Sequence, residues 1–143
     1  MNEVVIKPYT SIGDYTLGAT RIDIIKKYGK SLSSLEDNIM NSITELREAK
    51  ELVYNKIHRS YVLDSVRCLK DTSPIIGDVN IFESGPDGLK AMDCDFIEGS
   101  SYITFRGLGV TLGGFGKKKI PEKRILIAFR RESLGKFEFF ARS

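Results

Sequence analysis

A glycine-rich run over residues 107–116 and the basic stretch after it carry the side chains best suited to bind a partner. Lysine and arginine attract phosphates and carboxylates, and an aromatic ring beside them can stack on a base. We therefore predict a glycine-rich loop that ends in a basic tip and serves as the binding site. Its predicted contact residues are Phe115, Lys117, Lys118, Lys119 and Arg124.

The same run does not match a phosphate-binding motif. A Walker loop would need a glycine at the position of Thr111 and a serine or threonine at that of Lys118. A dinucleotide-binding loop would need a glycine at the position of Leu112. Three interpretations of the basic tip therefore stay open: a solvated hairpin tip, a loop that binds single-stranded nucleic acid, and a surface that docks against an acidic protein.

Few residues are suited to catalysis or metal binding. His58 is the only histidine, which removes most histidine-based nucleophiles and zinc sites. Asp93 and Asp95 flank Cys94, and two carboxylates disfavour a reactive thiolate between them. Strand alternation predicts that Cys94 is buried under a wet acidic face, and Cys68 is likewise predicted to be a buried free thiol. We predict a protein that is not an enzyme and uses neither a cofactor nor a metal ion.

The composition is that of an ordinary globular domain. The chain has 143 residues, of which 41% are hydrophobic and 29% charged, and its formal net charge is +3. This length suits one domain, so residues 1–143 are predicted to form a single domain. A charge of this size does not by itself indicate nucleic-acid binding. Because no leader-like or membrane-length apolar segment is found, we expect a cytoplasmic protein without membrane contact.

Two helices are predicted in the first half of the chain. Thr20 can cap a helix over Arg21 to Tyr28, with Asp23 completing a capping-box-like pair. Gly29 is suited to end that helix. A second, longer helix is predicted over 33–59, because apolar residues recur there at helical spacing and neither glycine nor proline interrupts them.

The remaining segments predict strands and turns. The turn signal is Gly85 to Gly88, and a short connection over 132–135 joins the last two strands into a hairpin. The predicted strands are Val4 to Ile6, Tyr61 to Leu69, Val79 to Glu83, Leu89 to Phe96, Tyr102 to Phe105, Arg124 to Arg130 and Phe137 to Ala141. This order predicts an α+β fold in which two N-terminal helices pack on one face of an antiparallel β-meander.

The segment Ile12 to Gly29 resembles a recurrent bacterial module. Its glycines and helix signals are arranged as in small α+β proteins of the BamE-like and β-lactamase-inhibitor-protein-like type, and as in cytoplasmic immunity proteins of contact-dependent and other polymorphic toxin systems. The residues that carry the resemblance are Gly13, Leu17, Gly18, Thr20, Ile24, Ile25, Tyr28 and Gly29. The resemblance is confined to this N-terminal segment, and it implies a domain that binds and blocks another protein.

The sequence as a whole predicts a non-enzymatic cytoplasmic immunity protein that neutralises a cognate protein toxin by covering its active site or a required surface. The basic loop would supply the contact residues. The alternative is a small single-stranded nucleic-acid-binding domain that uses the same basic glycine-rich loop together with a sheet face.

Overall fold

The computed structural model describes residues 2–116 and 120–142. These residues form a mostly β protein with two sheets and four short α-helices. The strands are β1 (Asn2–Lys7), β2 (Ser11–Ile12), β3 (Tyr15–Thr16), β4 (Ser33–Asp37), β5 (Ser42–Arg47), β6 (Lys50–Ile57), β7 (Ser60–Cys68), β8 (Thr72–Ile76), β9 (Val79–Asn80), β10 (Phe96–Glu98), β11 (Tyr102–Phe105), β12 (Val110–Gly113) and β13 (Ile125–Phe129). The helices are α1 (Arg21–Tyr28), α2 (Ile81–Ser84), α3 (Pro86–Met92) and α4 (Leu134–Arg142), with 3-10 turns at Pro121–Lys123 and Arg131–Ser133.

The larger sheet has eight antiparallel strands in the order β10-β11-β12-β13-β7-β6-β5-β4. The smaller sheet has the order β3-β2-β1-β8-β9, and its strands β1 and β8 run parallel. Sequential neighbours make most of the larger sheet, but β7 pairs with β13 rather than with β8. This pairing between distant segments joins strands β4–β7 and strands β10–β13 into one sheet.

The main core lies between the two sheets. Side chains from one face of the larger sheet, such as Leu52, Val66 and Leu126, pack in one cluster with Val4 and Ile6 of the smaller sheet. Helices α1, α2 and α3 each add one buried side chain to this cluster: Ile24, Ile81 and Leu89.

Helix α4 covers the opposite face of the larger sheet. Because side chains alternate along β13, Ile127 and Phe129 point away from the main core. Phe129 stacks on Phe137 of α4 with ring centroids 4.4 Å apart. The hydroxyl of Thr104 donates a hydrogen bond to the Phe137 carbonyl, 3.0 Å away. The sheet is therefore covered on both faces around β11–β13.

The predicted fold class is wrong, because the described residues contain a single N-terminal helix, α1, and not two helices packed on a meander. Residues 33–59, predicted as the second helix, form β4, β5, β6 and the turns around them. Their alternation is hard to recognise because β5 buries Ile43, Glu45 and Arg47, two of which are charged. Charged residues at inward positions break the apolar pattern of period two.

The turns of these hairpins carry no glycine signal either. Asn41, Glu48 and His58 adopt the left-handed conformation, with φ values of 51°, 49° and 57°. Glycine, asparagine or aspartate usually fills such positions in tight hairpins. Because Glu48 and His58 occupy these positions, two turns were not predicted from the sequence. His58 lies in an exposed turn rather than near the end of the helix predicted over 33–59.

Three strand predictions are also wrong. Residues 79–83 comprise the short β9 and most of α2, and residues 89–96 include the end of α3. The predicted turn at 85–88 holds the junction of these two helices, where Gly85 has a φ of 67°. Residues 137–141 lie in α4, so the predicted terminal hairpin is absent. In a helix Phe137 and Ala141 share a face at i, i+4 spacing, and both are buried.

Several elements are confirmed. Helix α1 has the predicted bounds, its cap Thr20 accepts a hydrogen bond from the Asp23 amide, and Gly29 ends it. The strand at Tyr102–Phe105 is confirmed with its bounds, and β1, β7 and β13 lie within one or two residues of the prediction. Within the part of the chain that the structure describes, no helix combines the length and apolarity needed to cross a membrane.

Candidate partner-binding site

The glycine-rich run is largely sheet. Residues 110–113 form β12, and all four are buried. Gly114 follows with a φ of 84°, and a Cβ there would lie 2.8 Å from the backbone of Arg124. A Cβ at Gly116 would collide with the carbonyl oxygen of Ser100. Close backbone packing therefore explains these glycines, and the prediction of one loop over the whole run is wrong.

The structure brings Phe115 and Arg124 together. The guanidinium carbon of Arg124 lies 4.7 Å from the centroid of the Phe115 ring, a cation–π distance. The same ring stacks on Phe82 with centroids 6.3 Å apart. Phe115 is half-buried and packs against the main core, so it is not a freely exposed loop aromatic. The other predicted contact residues lie outside the described residues: Lys117, Lys118 and Lys119.

A cleft of about 640 Å³ opens beside these rings. We call it the Phe115 cleft; its walls come from α2, the start of α3 and the segments that hold Phe115 and Arg124. Its charged side chains are Glu83, Asp87, Lys90, Glu98 and Arg124. Lys90 donates to Glu98 across 2.8 Å, so these two charges neutralise each other.

Of the two cations in this set, Lys90 has a carboxylate partner and Arg124 has none among the described residues. Its Nε is buried and has no hydrogen-bond acceptor. Among the described residues, no carboxylate lies within ion-pair distance of its guanidinium. Buried donors in folded proteins nearly always have an acceptor, and a guanidinium matches the two oxygens of a carboxylate. Nε itself is covered, but Arg124 as a residue is half-buried and lines the cleft, so its guanidinium carries a charge that no described carboxylate balances.

Sequence reasoning missed the wall of this cleft that α2 and α3 form. Asn80 caps α2 by accepting a hydrogen bond from the Glu83 amide at 3.3 Å. Gly85 ends α2 and leads into Pro86, the first residue of α3. Asparagine before a short helix and proline at its first position are helix-start signals. Both signals are present in the sequence, but apolar residues at 79, 81 and 82 favoured the prediction of a strand.

The two carboxylates that flank Cys94 hold neighbouring parts of the fold together. Asp93 accepts hydrogen bonds from the amides of Asp95 and Gly107, at 2.9 and 2.7 Å. Asp95 pairs with Arg106 at 2.7 Å. Hydrogen bonds from this guanidinium to Asp95 and then Glu138 raise the pKa of Arg106 above its ordinary value. Cys94 is exposed and lies outside any strand, so the prediction of a buried Cys94 is wrong.

Cys68, by contrast, is buried as predicted. The described residues contain no group of three or more histidine, cysteine or acidic side chains placed to hold a metal ion.

A buried polar network links α1 to the larger sheet. Glu45 is fully buried and accepts hydrogen bonds from Arg21 at 2.7 Å, Arg47 at 3.1 Å and the Tyr54 hydroxyl at 2.7 Å. Burial alone would raise the pKa of the Glu45 carboxyl, but these hydrogen bonds outweigh burial and hold it below its ordinary value. Burial and the hydrogen bond to Glu45 raise the pKa of Tyr54. Among the described residues, no buried side-chain polar atom of this network lacks a hydrogen-bond partner, so we assign the network to the fold.

The edge strand β4 is a second candidate surface. All five of its residues are exposed, including Leu35. This edge was not predicted from the sequence, because residues 33–37 were assigned to a helix.

Comparison with known proteins returned no match: no family model fits the chain, and no curated protein or solved structure matches it. The N-terminal resemblance to immunity proteins accordingly stays a prediction, and the function must be argued from the site itself.

Proposed function

We propose that this chain is a non-enzymatic immunity protein that binds a cognate protein toxin, with the Phe115 cleft as a contact site. The observation that carries the proposal is the half-buried guanidinium of Arg124, which lines the cleft against the Phe115 ring and has no carboxylate partner among the described residues. Arginine and aromatic side chains in desolvated pockets are the residues that most often dominate protein–protein affinity. An acidic side chain of the toxin would bind Arg124.

The charges of the cleft favour a carboxylate from a protein over a nucleic-acid strand. Glu83 and Asp87 line the cleft and repel any anion, so a strand that carries a phosphate at every nucleotide meets this repulsion repeatedly, whereas a single carboxylate at Arg124 meets it once. One carboxylate needs only one guanidinium, whereas phosphate-backbone binding gains affinity from many cations in a row. The ring of Phe115 is already engaged by Phe82 and Arg124, which leaves less of it for stacking on a base.

Co-expression with the protein encoded by the reading frame directly upstream tests this proposal. The wild-type chain is expected to restore growth of a bacterial host that produces that protein, and the purified pair is expected to form a complex in calorimetry. Arg124→Ala should weaken the complex by at least about tenfold, because it removes the cation that the partner carboxylate binds. Alanine at Lys117, Lys118 and Lys119 should weaken it as well.

Arg59→Ala is the matched control, since Arg59 lies in the exposed turn between β6 and β7 and its loss changes the net charge equally. Equal effects of Arg124→Ala and Arg59→Ala would rule out the cleft as the contact site. If the upstream protein neither harms the host nor binds the chain, the immunity proposal is wrong. Binding of a single-stranded oligonucleotide at low salt, with steep weakening as salt rises, would instead support the alternative function.

A further inference from the structure

Strand β4 is the longest edge strand in the described part of the protein. The other sheet edges are β3 and β9, with two residues each, and β10, with three residues packed beside α4. An edge strand presents backbone N–H and C=O groups that can pair with another strand. The sequence of β4, Ser-Ser-Leu-Glu-Asp, contains neither lysine nor proline, and its two charged residues, Glu36 and Asp37, are confined to its C-terminal end.

Four exposed apolar side chains lie in this edge strand or next to it in sequence. The exposed fraction is 75% for Leu32, 74% for Leu35, 91% for Ile39 and 70% for Met40. These residues lie within one short segment, residues 32–40, that comprises β4 and its flanks. A concentration of exposed apolar side chains in a short segment is typical of a site of protein association.

We propose that β4 pairs antiparallel with β4 of a second copy of this chain, joining the two larger sheets edge to edge. When the two-fold axis of the dimer passes beside Leu35, this residue lies directly opposite Leu35 of the second copy. Ser34 then faces Glu36 of the second copy, and Ser33 faces Asp37. The only apolar residue of the strand therefore meets itself, and each acidic residue meets a hydroxyl.

Charge and apolar contact together favour this register. Moving the axis to Glu36 would place the two Glu36 carboxylates directly opposite each other, and like charges in that arrangement destabilise a strand pair. Moving it to Ser34 would place Leu35 opposite Ser33 and Leu32 opposite Glu36, so the leucine pair would be lost. Asp37 is also fixed before pairing, because its carboxylate accepts hydrogen bonds from the amides of Ile39 and Met40 at 3.0 and 3.1 Å. The edge is thus self-complementary in sequence and already ordered.

The pairing is independent of the proposed function. β4 lies at one edge of the larger sheet, whereas the Phe115 cleft lies near β10, β12 and β13 at the other end of the strand order. A dimer formed through β4 leaves both clefts open and presents two of them to a partner.

Light scattering coupled to size exclusion tests the dimer on the full chain. At about 100 μM a dimer with a Kd of about 10 μM or tighter is largely populated, so the expected mass is twice the 16.1 kDa of the chain. Leu35→Lys should give the monomer mass, because it places two cations opposite each other. Ile22→Lys, at an exposed apolar position of α1, is the control and should stay dimeric. Circular dichroism confirms that each variant is folded.

A second pair of variants tests the register. Ser33→Lys places a cation opposite Asp37 of the second copy and should lower the dimer Kd, whereas Ser33→Glu should raise it. A wild-type chain that is monomeric at this concentration overturns the proposal and leaves the edge to a strand of a different protein. A dimer that persists in folded Leu35→Lys, or equal Kd values for the two Ser33 variants, also overturns it.

Discussion

At the scale of single residues, two buried carboxylates hold the fold together through ion pairs with basic side chains. Glu45 and Asp64 are completely buried, and each is within ion-pair distance of two basic side chains. A buried carboxylate without such partners would be strongly destabilising. The partners are Arg21 and Arg47 for Glu45, and Arg130 and Lys136 for Asp64. Apart from Arg47, which lies two residues from Glu45, these partners come from segments far away in the chain.

The two cysteines should differ in reactivity. Burial raises the pKa of the Cys68 thiol to about 12, whereas Cys94 is exposed. Because the thiolate is the reactive form, a thiol reagent such as Ellman's reagent should label one cysteine per native chain and both in denaturant. Cys94→Ser should abolish native labelling, and Cys68→Ser should leave it unchanged. Rapid native labelling of both cysteines would contradict the described burial of Cys68.

At the scale of elements, Asp64 fixes the C-terminal helix to the sheet. A β-bulge sets Tyr54 opposite Leu63 and Val53 opposite Ser65, so Asp64 is the extra residue of β7. Its carboxylate accepts hydrogen bonds from Arg130, Ser133 and Lys136, which precede or belong to the first turn of α4. The bulge thereby gives α4 an anchor in addition to its stacked phenylalanines.

Replacing Asp64 by asparagine should loosen α4 selectively. The variant keeps the size of the side chain but removes the buried charge that holds the half-buried Arg130, and we expect a loss of about 2 to 3 kcal/mol in the free energy of unfolding. Hydrogen exchange should accelerate most in residues 134–142. Lys136→Ala is the control, since Lys136 is largely exposed and its ion pair should contribute less than about 1 kcal/mol. Uniform acceleration across all strands would contradict this role.

At the scale of the whole molecule, stability depends on the pairing of distant segments. The larger sheet closes through β7 and β13, and the core joins both sheets. The Glu45 network ties α1 to this assembly through Arg21, which donates to Glu45 from the start of the helix. Loss of that network should therefore be visible in global unfolding rather than in local fraying.

The pH dependence of unfolding should report on Glu45. Its pKa is lower in the folded chain than its ordinary value of 4.5, so the stability that its ionisation provides is complete above about pH 4.5. That contribution is lost as the pH falls through the folded pKa. Urea unfolding between about pH 7 and pH 3 should show this decline, and Glu45→Gln should flatten it.

The same variant should also cost about 3 kcal/mol at neutral pH, because two arginines lose their carboxylate. Glu51→Gln is the matched control: its ion pair with Arg67 is long, 3.8 Å, and partly exposed, so its effect should be below about 1 kcal/mol. Equal pH profiles for wild type and Glu45→Gln would show that Glu45 does not drive the acid response.

The Phe115 cleft illustrates which parts of the molecule are predictable. Phe115 and Arg124 were predicted as contact residues from residue type alone, because cations and an aromatic ring near one another in sequence are a strong local signal. Their mutual stacking was not identifiable, since it depends on β12 and β13 pairing across the segment between them. The α2–α3 wall and the open edge at β4 were missed because both lay in segments assigned to the wrong secondary structure.

The sequence by itself determined the elements whose signals are local. Helix α1 has its cap, first-turn acid and terminal glycine within ten residues, so its bounds follow from short-range hydrogen bonding. Tertiary structure alone decided that residues 33–59 are strands. Their inward positions hold Glu45, Arg47 and Lys50. Arg47 and Lys50 have acidic partners two residues away, but Glu45 also needs Arg21 of α1 and Tyr54 of β6. A carboxylate is stable in this core only once those more distant partners are in place, and no local pattern records them.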